Sequence, residues 1–468
     1  MNNTNESPLS TLKIKNRKQL VDNAESRLLR KERTMALRSL EFVLNFIDPR
    51  KLTKTQINLE NKKLKAGSHT FDLKRVRDIY VVGGGKAGGK MAEACEEILG
   101  NLITDGAVNV PHGDKTKTSF IKLHEANHPI PDEAGLEGTR RIMEIAGRAG
   151  SDDLIICLIS GGGSSLMPLP REGLSLVDKI ELTSALLKSG ARISEINAVR
   201  KHVSAFKGGW LAKRAYPATV LNLVLSDVVG DGLEFVASGP TLPDSSTFPD
   251  ARIVLERYGL WNGTPTSVRR VLLDGQKGLI EETPKKDDIV FEKVYNVVVG
   301  NSRTAASAAC QYLENAGLNT ILLTSTLEGE ARHVGTMLGT IANEIGATGN
   351  PVARPAAVVA SGETTVTVIG NGVGGRNQEL ALSAALKLDA AGRAVVASLS
   401  TDGVDGPTTA AGAVVDGKTL GHAAQLGIDA STYLVENNSY NFFSRIGDLI
   451  VTGPTGTNVN DISLLIIL

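Results

Sequence analysis

Ile79-Tyr80-Val81-Val82-Gly83-Gly84-Gly85-Lys86-Ala87-Gly88-Gly89-Lys90 is the stretch that decides the fold. Four β-branched or aromatic residues run straight into three glycines, and a helical pattern over 92–99 begins just beyond. A short apolar strand that breaks into glycine and then helix opens a parallel β–α unit covered on both faces. The pattern recurs. Residues 153–159 break into Ser160-Gly161-Gly162-Gly163-Ser164-Ser165, followed by a helical pattern over 175–187. Residues 218–225 break into Ser226-Asp227-Val228-Val229-Gly230-Asp231. A charged, irregular segment over 273–292 interrupts the alternation, which restarts at 295–299, 319–323, 356–360 and 394–398, with 462–468 as a last buried strand. The expectation is an α/β chain of two domains, with its interdomain boundary at 285/286.

Composition supports a folded core and narrows the function. The 468 residues are 41 % hydrophobic and 22 % charged, which suits packed domains and not disorder. Lysine plus arginine number 51, and aspartate plus glutamate also 51, so no broad positive field invites nucleic acid. No apolar run approaches the roughly 20 residues of a membrane helix, and the polar first 30 or so residues lack a secretory core. A cytoplasmic location is therefore expected. The three cysteines, Cys95, Cys157 and Cys310, are too scattered for a disulfide framework or a zinc knuckle, and Cys157 reads as a buried thiol. An apolar helical face, Met35, Leu37, Leu40, Phe42, Val43 and Phe46, opens the N-terminal domain at 33 and leaves 1–32 as a polar extension.

The first glycine loop half-meets two patterns. Gly83, Gly85 and Gly88 satisfy G-x-G-x-x-G, but the ribose-binding acid that should end the next strand is missing. Asp105 has the spacing and precedes its strand, taken as 107–110. Gly84, Gly89 and Lys90 approach the Walker pattern, yet Met91 stands where a magnesium-binding hydroxyl belongs. What remains is a glycine turn feeding a helix N-terminus, with Lys86 as a mobile charge for an anion. A tight structural turn with a solvated lysine is the plainer alternative. Ser160–Ser165 repeats the design with hydroxyl donors. Asp227, Asp402 and Asp405 sit on loops that suit oxygen coordination of Mg²⁺, although Asp-Gly is also ordinary turn chemistry. Arg376, in Gly374-Gly375-Arg376-Asn377-Gln378-Glu379, can grip an anion with its fork or merely cap a helix. Lys201 and Lys207 lie on a basic stretch, 200–207, that would equally be a solvated face, and Glu363 pairs with a cation or caps a turn.

Together, Val-Val-Gly-Gly-Gly-Lys86-Ala-Gly, Asn-His128-Pro-Ile-Pro-Asp, Leu-Ile-Ser160-Gly-Gly-Gly-Ser-Ser, Leu-Ser-Asp227-Val-Val-Gly-Asp, Ala-Ser-Gly-Pro-Thr241, Gly-Gly-Arg376-Asn-Gln-Glu and Thr-Asp402-Gly-Val-Asp405-Gly-Pro-Thr occur in order. From about Arg33 to the C-terminus the chain closely resembles the glycerate 2-kinases of the MOFRL type. The resemblance implies ATP-dependent phosphorylation of D-glycerate at its 2-hydroxyl with a divalent cation, Mg²⁺ or another. It also implies a Rossmann-like parallel-sheet N-terminal domain, 33–285, and a smaller α/β C-terminal domain, 286–468, with the active site in the cleft between them. The resemblance implicates Lys86 and Arg376 in catalysis, and Asp227 is expected to join them as base or metal ligand. Gly84, Gly85, Ser160, Gly161, Gly162, Gly163, Ser164, Ser165, Lys207, Asn301 and Glu363 are expected on the nucleotide side, with Asp402 and Asp405 on the metal. Expected partners are the small acid and the nucleotide, with neither nucleic acid nor membrane, for a monomer or homodimer.

Two other readings compete. An NAD(P)H-dependent hydroxypyruvate reductase would use the G-x-G-x-x-G turn and needs a proton donor, for which His128 is the ready candidate. A non-catalytic nucleotide or sugar-acid sensor would use the same loops without turnover.

Overall fold

The computed structural model describes residues 12–389 and 393–468, which divide into two units: Pro49–Val299, and 12–48 with Gly300–Leu468. In the first unit β1 (Ile57–Glu60), β2 (Lys63–Ala66) and β3 (His69–Asp72) form a small antiparallel sheet. The main sheet follows: β4 (Ile79–Gly84), β5 (Ile103–Pro111), β6 (Lys122–Ala126), β7 (Leu154–Ser160), β8 (Thr219–Leu225) and β9 (Val294–Gly300). Their spatial order is β6-β5-β4-β7-β8-β9, and the pairings from β6 to β8 are parallel. Strand order thus runs one way from β4 and the other way from β7. That is the doubly wound arrangement, whose switch point lies between these two strands. Every residue of β4 and β7 is buried, Cys157 included, because helices cover both faces. Helix Glu133–Arg148 contributes Ile142 and Ile145 to one cover, each worth about 1.5–3 kcal/mol on burial.

Four helices, Leu176–Lys188, Ile193–His202, Phe248–Arg257 and Thr266–Gln276, form a separate apolar cluster around Leu186, Val199, Phe248 and Leu272. The segment expected as a linker belongs to this unit. Two of its residues make tertiary hydrogen bonds: Glu282 Oε1 meets His202 Nε2 at 2.7 Å, and Thr283 Oγ1 donates to Asp244 at 3.0 Å. The chain then adds β9 beside β8, so the division falls after Val299 and not at 285/286.

The second unit holds β10 (Asn319–Leu327), β11 (Ala356–Gly362), β12 (Val395–Ser400), β13 (Gly412–Asp416), β14 (Leu449–Ile450) and β15 (Asp461–Ile467). Their order is β10-β11-β15-β12-β13-β14. The last strand runs antiparallel to both β11 and β12, which makes the sheet mixed. Helix Arg27–Phe46, capped by the Ser26 side chain, packs on β12, β15 and helix Ser302–Asn315. The helix that was expected to open the N-terminal domain therefore belongs with the C-terminal half of the chain. Its Arg33, 2 % exposed, explains why: Nε donates to Asp416 at 2.7 Å, and Nη1 and Nη2 to Asp448 at 2.7 and 3.0 Å. Of the expected extension, residues 1–11 lie outside the described residues, while 12–32 contain helix Arg17–Asp22 with Leu20 buried. Among the described residues no helix is long and apolar enough to cross a membrane.

Glu32, beside Arg33, is fully buried, with Leu468 N donating to Oε1 at 2.9 Å and Oε2 left without a partner among the described residues. Burial raises its carboxyl from 4.5 to about 7. The unfolded chain therefore ionises Glu32 more readily than the folded one does. Its contribution to stability is full below pH 4.5 and is lost as pH rises towards 7, by at most about 3 kcal/mol. Glu32→Gln should flatten that decline in urea unfolding followed from pH 4.5 to 7.5. An unchanged slope in the Glu32→Gln variant would remove this carboxyl as its source.

Candidate active site

The parallel sheet brings the first two glycine loops together, since β4 and β7 are neighbours flanking the switch point. Lys86 N donates to Gly161 O at 2.8 Å, and Ala87 N to Ser160 Oγ at 3.1 Å. Gly162 has φ +78°, and a methyl group there would meet Lys86 Cγ at 3.0 Å and the His128 ring at 3.1 Å. Lys86, His128 and the second loop thus share one small volume. The third loop closes on it from β8: a methyl on Gly161 would fall 1.9 Å from Asp227 Oδ2. Glycine at 161 lets that carboxylate lie against bare backbone.

Ser164 and Ser165 begin the short helix Gly163–Leu166, with Ser165 Oγ donating to Gly162 O at 3.0 Å. Ser164 Oγ is 2.7 Å from Ser238 Oγ, which donates to Asn197 Oδ1 at 2.7 Å. Lys207 is not on a solvated face. It is 1 % exposed, and its ammonium donates to the carbonyls of Ser164 and Met167 at 2.9 and 3.0 Å, holding the loop from beneath. Burial, then the charges of Lys179 and Arg200, push that ammonium well below the usual lysine range. Lys201 is likewise buried, 3.2 Å from Asp244. Asp105 lies within β5, where Arg141 and Arg148 hold it at 2.7 and 2.5 Å. It does not precede its strand, and it does not end it either. A ribose-binding acid is thus absent from that position.

In the mixed-sheet unit Arg376 opens helix Arg376–Ala385. Its Nε and Nη2 donate to the two oxygens of Asp461 at 2.5 and 3.0 Å, and Nη1 to Glu363 Oε1 at 2.5 Å. Asn460 Nδ2 donates to Glu363 Oε2 at 2.9 Å. Burial raises the Asp461 carboxyl to about 7 against the lowering pull of Arg376. The fork leaves two of the arginine's five N–H groups without a partner among the described residues. Asp461 reaches this place because β15 is antiparallel, so its first residue pairs with Gly362 and Ser400 at the far ends of β11 and β12. Asp461 and Asn460 escaped the sequence reading for that reason. Their only signal was a polar Asn458-Val459-Asn460-Asp461 ahead of an apolar strand.

The acids expected on the metal are placed differently from each other. Asp405, 1 % exposed, accepts from the backbone N–H of Asn377 and Gln378 at 3.1 and 2.9 Å and from both side-chain amides at 3.2 and 3.0 Å. It thereby caps the first turn of the Arg376 helix. Asp402 Oδ1 accepts from Ser400 Oγ and Val404 N, both at 3.0 Å, within its own turn. Asn301 caps helix Ser302–Asn315 through Thr304 N at 2.9 Å. Among the described residues no group of three or more His, Cys, Asp and Glu is arranged to hold a metal by itself.

Comparison with known proteins assigns the chain. Residues 35–273 match a family described as "Domain of unknown function (DUF4147)", and residues 356–461 match the MOFRL family. The D-glycerate 2-kinase of Thermotoga maritima is 43 % identical over 89 % of this chain and 98 % of its own length. This chain belongs to the glycerate 2-kinase family. The glycerate 2-kinase of Pyrococcus horikoshii is 42 % identical over 93 % of the chain and 97 % of its own length. A crystal structure of the Thermotoga maritima glycerate kinase superposes with a TM-score of 0.82, at 41 % identity, over 93 % of this chain and 99 % of that one. The family also includes a protein from Agrobacterium vitis with a provisional hydroxypyruvate reductase name, 42 % identical over 83 % of this chain and 86 % of its own length.

Proposed function

We propose that this chain transfers the γ-phosphoryl group of ATP to the 2-hydroxyl of D-glycerate. The near-full-length identity to proteins named glycerate 2-kinase carries the reading. The site chemistry supports it, because phosphoryl transfer asks mainly for positioning and charge neutralisation. Lys86 and the backbone of Gly161–Gly163 would grip phosphate oxygens at the switch point of the parallel sheet. Arg376, prearranged by Asp461 and Glu363, would present its remaining N–H groups to negative charge. Mg²⁺ needs only one or two protein carboxylates beside phosphates and water. Asp227, whose carboxylate lies against Gly161, would meet that limited demand beside the phosphate-gripping loop. When bound, the cation would neutralise charge on the nucleotide phosphates. The reductase reading is weaker on the same geometry, since Asp105 is fixed by two arginines in mid-strand.

The test is an assay with ATP, Mg²⁺ and D-glycerate, coupled through enolase without added mutase. Immediate signal is expected, because only 2-phosphoglycerate feeds enolase directly. ADP release without that signal would overturn the 2-hydroxyl assignment, and no ADP release would overturn the kinase. In the same assay Lys86→Ala should lower kcat at least tenfold, about 1.4 kcal/mol, with its circular dichroism and Tm unchanged. Near-full turnover would remove Lys86 from the transfer step.

A further inference from the structure

Beneath the second glycine loop lies a set of cations with no counter-ion among the described residues. Lys207 and Lys179 are buried and donate to backbone carbonyls alone, Lys179 to Leu169 O at 3.1 Å. The nearby acids are engaged elsewhere: Asp244 with Lys201 at 3.2 Å, and Glu282 with His202 at 2.7 Å. Arg200, in the last turn of helix Ile193–His202, is half-buried and has no hydrogen bond or ion pair among the described residues. Its charge, after burial itself, adds to the lowering of both lysines. An arginine in such a place ordinarily finds a carboxylate, because like charges partly out of water repel strongly.

A second observation points the same way. Asn197 lies three residues before Arg200, on the same face of the helix. It is 2 % exposed, its Oδ1 accepts from Ser238, and its Nδ2 has no partner among the described residues. Ser238 joins it to Ser164 of the loop, and Ala237 and Ser238 are held at φ +51° and +61°, where side chains are seldom tolerated. A guanidinium and an amide N–H₂, three residues apart on one helix and linked through Ser238 to the second glycine loop, both lack acceptors among the described residues.

We propose that Arg200, with the Asn197 amide as second donor, binds the carboxylate of the acceptor acid and makes the enzyme select an acid over a neutral polyol. The proposal rests on the kinase reading above. A polyphosphate is the poorer fit. It would need several reachable cations, and here Lys179 and Lys207 are buried under carbonyls, which leaves one planar fork suited to one carboxylate.

Steady-state kinetics of Arg200→Ala test it. KM for D-glycerate should rise at least tenfold while KM for ATP stays within about twofold, and preference for D-glycerate over glycerol should fall by a similar factor. Arg200→Lys should lie between. A raised KM for ATP alone, or no change in either, overturns the proposal. Should the variants not fold, the unaltered protein can be treated with phenylglyoxal and position 200 followed by peptide mass spectrometry. Protection by D-glycerate without nucleotide is expected. Protection by ATP only, no protection, or no reaction at Arg200 overturns the assignment. This second readout needs no turnover, so a chain that binds glycerate at Arg200 but releases no ADP would fail the kinase reading and not this one.

Discussion

Arg376→Ala is expected to lower kcat at least tenfold and, separately, to destabilise the mixed-sheet unit. The two effects have different origins. Loss of turnover follows if the guanidinium neutralises charge in the transfer step, and tenfold corresponds to about 1.4 kcal/mol. Loss of stability follows because Asp461, already raised to about 7 by burial, would have no ion partner and would bind a proton at neutral pH. The companion variant Arg376→Ala/Asp461→Asn separates them. Neutralising Asp461 should recover most of the thermal stability and none of the kcat. If the double variant regained turnover as well, the arginine would be a scaffold for Asp461 and not a participant. Arg376→Lys should sit near Arg376→Ala in kcat, since an ammonium cannot hold both Asp461 oxygens and still offer spare donors.

Arg33→Met should be the most destabilising single change outside the candidate site. Arg33 reaches two carboxylates on different parts of the second unit, Asp416 at the end of β13 and Asp448 just before β14, and all three side chains are at most 2 % exposed. Removing the cation strands two buried negative charges, and breaking such a pair costs roughly 3–5 kcal/mol. In a unit of this size that is a fall in Tm on the order of 10 °C. Asp416→Asn and Asp448→Asn added to Arg33→Met should restore much of the loss, because the penalty lies in uncompensated charge. A single variant that melts within about 2 °C of the parent would show that the cluster relaxes around the change. kcat measured well below the melting range should be little altered, because Arg33 touches none of the site residues described.

The motifs that name the family were legible because each is local. A strand of β-branched residues followed by glycine can be read from its own residues, and β4, β7 and β8 appear within a residue or two of their expected ends. Cys157 was readable as buried because a wholly apolar run has no solvent face. Lys207 was harder. A lysine in a basic stretch looks solvated, and nothing nearby in sequence shows that Ser164 and Met167 would supply carbonyls from some 40 positions away.

The residues themselves determined the alternation of apolar strand, glycine turn and helix, the loops at the strand ends and the near-zero net charge. These depend on periodicity and on backbone freedom, which act over a few residues. Tertiary structure decided which unit claims helix Arg27–Phe46, where the chain passes from one unit to the other, and that β15 runs antiparallel. It also decided that Asp405 caps a helix while Asp461 holds Arg376. Each of these turns on a pairing between residues far apart in the chain: Arg33 with Asp448, Val395 with Ile466, Arg376 with Asp461. Their free energy comes from burying charge and backbone together, and no window of sequence contains both partners.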